Sequence, residues 1–378
     1  MSKTADTFDL RSGTFNATED WLSKVGASLA QLGIGARDFR LANVGDSIAT
    51  GMLGITTASD HYTARAAGLV ARAHGRRWRR GPVCEGTNND GGWITLAGRD
   101  WRRDLNEGAF FGAGSYELLP EGNAVLSYAP DGAATSFTVS FAGHIEYSVD
   151  SGATWIRPEV TGPDYSRLEI PNRAHRAASE LQIRAPKQSG SARIYSLDHS
   201  DESDPCFTWF TSGVGGARMI DLFEGLSANE DLGFRAYGSA DLDLLTIGIG
   251  VNDTIHADEV TTADSASALR AIIRGFARYG VENIALVGAC PVRPDYQPGP
   301  WSISEAYEWI YRPISLELGV PLLEWSRRWG DWAEANRQGY YSDHVHPGRD
   351  GHWDAGAMVA GLLLRASRHG PQAEVTGC

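Results

Sequence analysis

Ser47 follows Gly45-Asp46 where an apolar run ends, Asn252 stands in Gly250-Val251-Asn252-Asp253, and His346 closes Asp343-His344-Val345-His346-Pro347. A hydroxyl, a carboxamide and an imidazole with a carboxylate three residues before it are the parts of an acyl-transfer site: a nucleophile, a donor to an oxyanion and an oriented base. A carboxamide N–H aimed at a developing oxyanion is a donor whose loss costs roughly 2.7–4 kcal/mol of transition-state stabilisation. Asp343 is near enough to hold the His346 Nδ1–H while Nε2 faces the serine, which fixes the tautomer and supports the imidazolium. Each tripeptide alone reads as an ordinary turn, and His346 alone as a buried, hydrogen-bonded histidine. Three segments in this order, two after readable strands and one before a helix, read as one constellation.

The elements that must position these residues are legible from periodicity. Phe39 to Val44 is a strand that stops at a glycine and delivers Ser47 to the start of a helix, whose first N–H groups are unpaired. Leu242 to Ile249 is a second strand ending at Gly250. Thr57 to Ala73 predicts a helix, Asn283 to Gly288 a strand, Ser302 to Leu318 a helix, Pro321 to Leu323 a short strand, and Trp353 to Ala366 a final helix. Strands alternating with helices imply a parallel sheet covered on both faces, with ligands at the carboxyl ends of its strands. Residues from about 112 to 200 have another texture. Phe137-Thr-Val139-Ser-Phe141 and Ile145-Glu-Tyr147-Ser-Val149 alternate apolar with polar, and turn residues recur at short intervals. That pattern predicts an antiparallel β-sandwich.

With these motifs the chain resembles the SGNH (GDSL-type) hydrolase family. The family's first block matches Gly45-Asp46-Ser47-Ile48, its third Gly250-Val251-Asn252-Asp253 and its fifth Asp343-His344-Val345-His346-Pro347. Its second, a glycine in a loop after the second strand, matches Gly213-Val214-Gly215-Gly216, with Gly216 chosen by spacing and Gly215 adjacent. The resemblance implies an α/β fold: a three-layer, flavodoxin-like hydrolase domain with a parallel sheet, here interrupted by an all-β sandwich. It makes Ser47 the nucleophile, His346 the base and Asp343 its orienting acid. Ser47 N–H, Gly216 N–H and the Asn252 side chain form the oxyanion hole, and no cofactor is required. The implied division is residues 1–111 and 201–378 for the hydrolase and 112–200 for the insertion.

An inserted sandwich resembles the carbohydrate-binding-like modules of family members that remove acetyl groups from polysaccharides; packing against the core or oligomerisation is the plainer reading. The implied activity is a serine esterase acting on short, acetyl-type esters of a carbohydrate. A lipase, thioesterase or acyltransferase of the same family, and a non-catalytic glycan-binding protein of a virion or cell surface, are the alternatives. Tyr340 and Tyr341, just before Asp343, and Trp155, after the turn at Ser151-Gly152, are candidate substrate contacts, with a buried place in the sandwich the first reading of Trp155. Trp325 and Trp329, at helical spacing, read as core. Asp343, His344, His346, Asp350 and His352 are also dense in metal-type ligands, a reading ranked behind the esterase because His346 and Asp343 already have roles. His256 reads as a surface or supporting residue.

With 34 basic and 47 acidic residues, a net charge of -13 argues against nucleic acid and against an anionic membrane surface as partners. The run Arg76-Arg77-Trp78-Arg79-Arg80 opposes that trend and reads as a solvated face, with an anionic polysaccharide as the second reading. No segment is apolar enough to span a bilayer, and the N-terminus lacks a signal-peptide pattern, so the expectation is a cytoplasmic or virion-associated protein. Cys290 reads as core, and Cys84 and Cys206 as a pair that could bridge.

Overall fold

In the computed structural model the strand before Ser47, Phe39–Gly45, is buried along nearly its whole length. Continuous burial is what a parallel strand covered on both faces requires. The structure describes residues 13–51, 54–82, 94–97, 101–104, 115–120, 124–130, 133–159, 162–172, 180–187, 189–297 and 299–370. Phe39–Gly45 pairs in parallel with Leu244–Gly248 on one side and Phe207–Gly213 on the other. Ile284–Val287 and Leu322–Leu323 continue the parallel order beyond Leu244–Gly248. Thr14–Phe15 closes that edge antiparallel, and Trp78–Arg80 closes the opposite edge of the seven-stranded sheet.

Helices cover both faces. Glu19–Ile34, Tyr62–Ala73 and Arg349–Ser367 pack on one another as one layer; Met219–Ala228, Phe234–Ser239 and Thr262–Arg278 form the other. The fold is therefore the expected three-layer α/β arrangement with a mostly parallel sheet. Two expected helices are interrupted. The first begins as a short 3-10 turn at Ala58–Asp60 before Tyr62–Ala73. The other is broken by a π-helical turn, Tyr307–Tyr311, between Ile303–Ala306 and Arg312–Leu318. That turn directs two tyrosine hydroxyls at strand ends beside the site: Tyr307 donates to the Ala289 carbonyl at 2.9 Å and Tyr311 to the Ile249 carbonyl.

The β-rich region forms two antiparallel sheets of five and four strands. Their facing side chains, among them Phe137, Val139, Phe141, Ile194 and Leu197 from one and Leu126, Tyr128, Leu181 and Ile183 from the other, make a core of their own. Two strands upstream of the expected start at 112 join these sheets: Ile94–Ala97 pairs with Val125–Tyr128, and Trp101–Asp104 with Ser115–Leu118. The interruption also follows a strand that the sequence reading did not see, Trp78–Arg80, at the edge of the parallel sheet.

That strand corrects the reading of the arginine run as a solvated face at Arg79, while Arg77 and Trp78 are exposed as that reading has it. Arg79, only 14% exposed, lies 2.8 Å from Asp198 and 3.1 Å from Asp38, because a strand in the sheet edge turns alternate side chains inward. Cys206 is a free, buried thiol, and Cys84, with which a bridge was one possibility, lies outside the described residues. Cys290, Trp325 and Trp329 are core residues, as expected. Among the described residues no helix is long and apolar enough to cross a membrane.

Candidate active site

Ser47 is the first residue of a four-residue helix whose N-cap is Asp46, with Asp46 Oδ1 accepting from Ile48 N–H at 2.9 Å. The carboxyl of Asp46 is wholly buried, and burial pushes its pKa up to about 7 against the pull of the backbone donors. Beneath this helix, Asn43 uses every hydrogen-bonding position of its carboxamide. It donates to the Ala49 carbonyl at 2.9 Å and to Thr211 Oγ1 at 3.1 Å, and it accepts from Tyr62 at 2.6 Å and from Thr246 at 2.9 Å. A fully satisfied buried amide of this kind rigidifies what it touches. Sequence reasoning missed it; the available signal was a carboxamide in a strand that, Arg40 apart, is otherwise apolar.

Ser47 Oγ lies 3.0 Å from His346 Nε2, and His346 Nδ1 lies 2.8 Å from Asp343 Oδ2. The other carboxylate oxygen of Asp343 accepts from the backbone N–H of His346 at 2.6 Å and of Val345 at 2.7 Å. Burial pushes the Asp343 carboxyl up, but these N–H donors and the imidazole outweigh it and hold the group below its ordinary value. The loop is closed by Ser342, whose N–H and hydroxyl both donate to the His346 carbonyl at 3.0 Å. With Nδ1–H donated to a charged carboxylate, Nε2 is left to accept the serine proton.

The oxyanion candidates converge on the same strand ends. Asn252 follows Gly250, which holds φ at +118°, where a Cβ would meet the Tyr311 hydroxyl at 2.0 Å. Asn252 Nδ2 donates one hydrogen to the Ala217 carbonyl at 2.9 Å, which leaves its second N–H for another acceptor. Asp253, buried beside it, accepts from Met219 N–H at 3.0 Å and from Ser265 Oγ at 2.6 Å, so Asn252 and Asp253 together pin the loop that carries Gly215 and Gly216. Gly216 is exposed at φ +80°, and neither it nor Gly215 donates to a backbone acceptor among the described residues. Strand register sets the level of all three parts: Gly45, Gly213 and Gly248 stand in one row across the sheet.

The three candidate substrate contacts are engaged elsewhere. The Tyr341 hydroxyl donates to the Pro291 carbonyl and its ring packs on Trp329 and Trp332; Tyr340 also packs on Trp329, 5.1 Å between centroids. Trp155, in the sandwich, carries the Arg184 guanidinium 4.0 Å above its ring. An exposed aromatic that the sequence reading passed over is Tyr296, whose ring lies 5.1 Å from His344, next to Asp343, with the Arg293 guanidinium over it. Among the described residues no group of acidic, histidine and cysteine side chains is arranged to hold a metal. His352, one of the residues considered for that role, is buried against His61 and Tyr62, and burial lowers its pKa to about 3. His256 is half-exposed beside Glu259.

Residues 200–353 match the GDSL-like Lipase/Acylhydrolase family. The structure is similar to one titled as a peptidoglycan O-acetylesterase in action, at 17% identity and a TM-score of 0.70, covering 94% of this chain and 99% of that one. A family two carbohydrate esterase from Cellvibrio japonicus aligns at 13% identity and a TM-score of 0.30, over 73% of this chain and 96% of that one. A comparison with curated sequences finds no match.

Proposed function

We propose that this chain, whose α/β domain is that of a GDSL-type (SGNH) hydrolase, is a serine esterase that removes short acyl groups, acetyl foremost, from a carbohydrate. The observation that carries the reading is the contact of Ser47 Oγ with His346 Nε2, continued by the contact of His346 Nδ1 with Asp343. In the proposed reaction Ser47 Oγ attacks the ester carbonyl as its proton passes to His346 Nε2. The oxyanion of the tetrahedral intermediate is held by the N–H of Ser47, the N–H of Gly216 and the second N–H of Asn252. The C–O bond breaks, His346 returns the proton to the leaving sugar hydroxyl, and the acyl group stays on Ser47. Water, deprotonated by His346, then releases the acid and restores the serine.

The carbohydrate part of the reading is supported by the likeness to an O-acetylesterase that extends over almost the whole chain, β-rich region included. We take that insertion to run from about residue 94 to 200, and Tyr296 beside His344 to be a better platform for a sugar than Tyr340 or Tyr341. The test is hydrolysis of p-nitrophenyl acetate, butyrate and octanoate by the wild type and Ser47→Ala, followed by acetate release from O-acetylated peptidoglycan and acetylated xylan. We expect turnover that falls with chain length and drops by about 10⁶ in Ser47→Ala. Turnover unchanged by that substitution sinks the nucleophile assignment, and a preference for octanoate sinks the acetyl reading.

A further inference from the structure

The cavity lined by Asp46, Ile48, Ala49, Gly248, Cys290 and Trp325 beside the nucleophile holds only about 10 Å³. A far larger pocket, about 320 Å³, opens elsewhere, in the seam between the edge strand Trp78–Arg80 of the parallel sheet and the β-rich region. Trp78, Trp209, Arg77, Arg80, Asp201 and Asp204 are among its walls. Its volume is in the range of small-molecule sites. Trp209 pairs with Leu41 and Arg80, four residues before the Gly213 row, so the pocket sits roughly 13 Å along the strand from the level at which Ser47 is delivered.

Two features of the lining point to a ligand. Trp78 is 41% exposed, a large aromatic surface left open at the rim. Trp209 is 1% exposed, yet its indole N–H has no acceptor among the described residues, and a buried donor of that kind calls for a partner. Charges of both signs surround them: Arg77 pairs with Asp204, Arg79 with Asp198 and Asp38, the Arg80 guanidinium lies 5.3 Å from the Trp209 ring centroid, and Asp201 adds a further carboxylate. An anionic ligand would meet those carboxylates, whereas a neutral ligand with an apolar C–H face and a rim of hydroxyls meets an aromatic ring and fixed donors and acceptors in alternation.

We propose that this pocket is a second, non-catalytic glycan site that seats a neutral pyranose unit of the polymer whose ester is cleaved at Ser47. The proposal rests on the esterase reading for its link to catalysis, and the binding itself is measured without turnover. Titration calorimetry of the full chain carrying Ser47→Ala would use chitotetraose with N-acetylated amines, xylotetraose and tetragalacturonate. We expect saturable binding of at least one neutral oligosaccharide, weakened tenfold or more by Trp78→Ala and likewise by Arg77→Ala, which alters only a surface ion pair. In an otherwise wild-type chain Trp78→Ala should leave kcat/KM for p-nitrophenyl acetate unchanged while lowering it for the acetylated polymer. Binding of neither neutral oligosaccharide, binding of tetragalacturonate alone, or binding indifferent to both substitutions overturns the proposal. A wild type inert toward p-nitrophenyl acetate that still binds through Trp78 would sink the esterase reading and leave the glycan site standing.

Discussion

Asp343 illustrates how much one carboxylate can organise. One oxygen takes the backbone N–H groups of Val345 and His346 and so shapes the turn; the other takes His346 Nδ1–H and so sets the tautomer. These roles separate in Asp343→Asn. The amide oxygen can still accept the two backbone donors, which preserves the turn, but its NH₂ then faces Nδ1 and forces the imidazole proton onto Nε2, toward Ser47. A ring protonated there cannot accept from the serine. We expect kcat for p-nitrophenyl acetate to fall by about 10⁴ with little change in Tm. A fall of less than tenfold in a variant of native Tm would mean that Asp343 does not orient the base. The motif residues were legible in the sequence for the reason that makes this experiment clean: Asp343 and His346 act over three residues, and local spacing is what a sequence displays.

At the level of elements, the proposed reaction depends on strand ends that come unusually close. A Cβ on Gly45 would lie 1.7 Å from the Gly248 carbonyl oxygen, and one on Gly213 would lie 2.4 Å from that of Gly45. Both obstacles are backbone, so relief requires the strands to part, and with them the groups that would contact the substrate. Gly45→Ala should therefore cost about 10² or more in kcat, as misplacement by an ångström does, together with a lowered Tm. An active variant of native Tm would show that the strand ends have slack. This row was not legible. Gly45, Gly213 and Gly248 each read as a strand terminus, but that they share one level depends on register between segments some 170 and 200 residues apart, which no local pattern encodes. The same limit hid the start of the β-rich region, because Ile94–Ala97 and Trp101–Asp104 are four residues each and gain their identity only from the strands they pair with. The π-helical turn was hidden for a related reason: its tyrosines are fixed by carbonyls at Ala289 and Ile249, outside the helix.

The whole molecule is held together where the β-rich region meets the parallel sheet. The five-stranded sheet turns Ala142 and Tyr195 into the α/β core, Tyr165 contacts Ser239 at 3.1 Å, and Asp198 receives Arg79 at 2.8 Å and Arg40 at 3.3 Å. A run of five residues containing four arginines looked like a solvated face because the carboxylates that neutralise Arg79 lie 41 and 119 residues away. Burial pushes Asp198 up, but Arg79 and Arg40 overcome it and lower its pKa from 3.8 to about 2. A carboxylate whose folded value is depressed contributes stability above its unfolded value and loses it as the pH falls through the folded one. The contribution of this shift is about 2 kcal/mol, present at pH 4 and above and lost toward pH 2. Asp198→Ala leaves Arg79, 14% exposed, with Asp38 and the His199 carbonyl, and removing one partner of a largely buried pair costs up to roughly 3–5 kcal/mol. We therefore expect urea unfolding at pH 7 to show the variant destabilised by about that amount, with the gap to the wild type narrowing by about 2 kcal/mol between pH 4 and pH 2. The kcat for p-nitrophenyl acetate at neutral pH should stay near that of the wild type, since Asp198 lies at the seam and away from the strand ends. A gap independent of pH would show that Asp198 stabilises the seam by packing, with its charge contributing little; loss of kcat in a folded variant would show that the two regions must be locked together for the strand ends to hold their level.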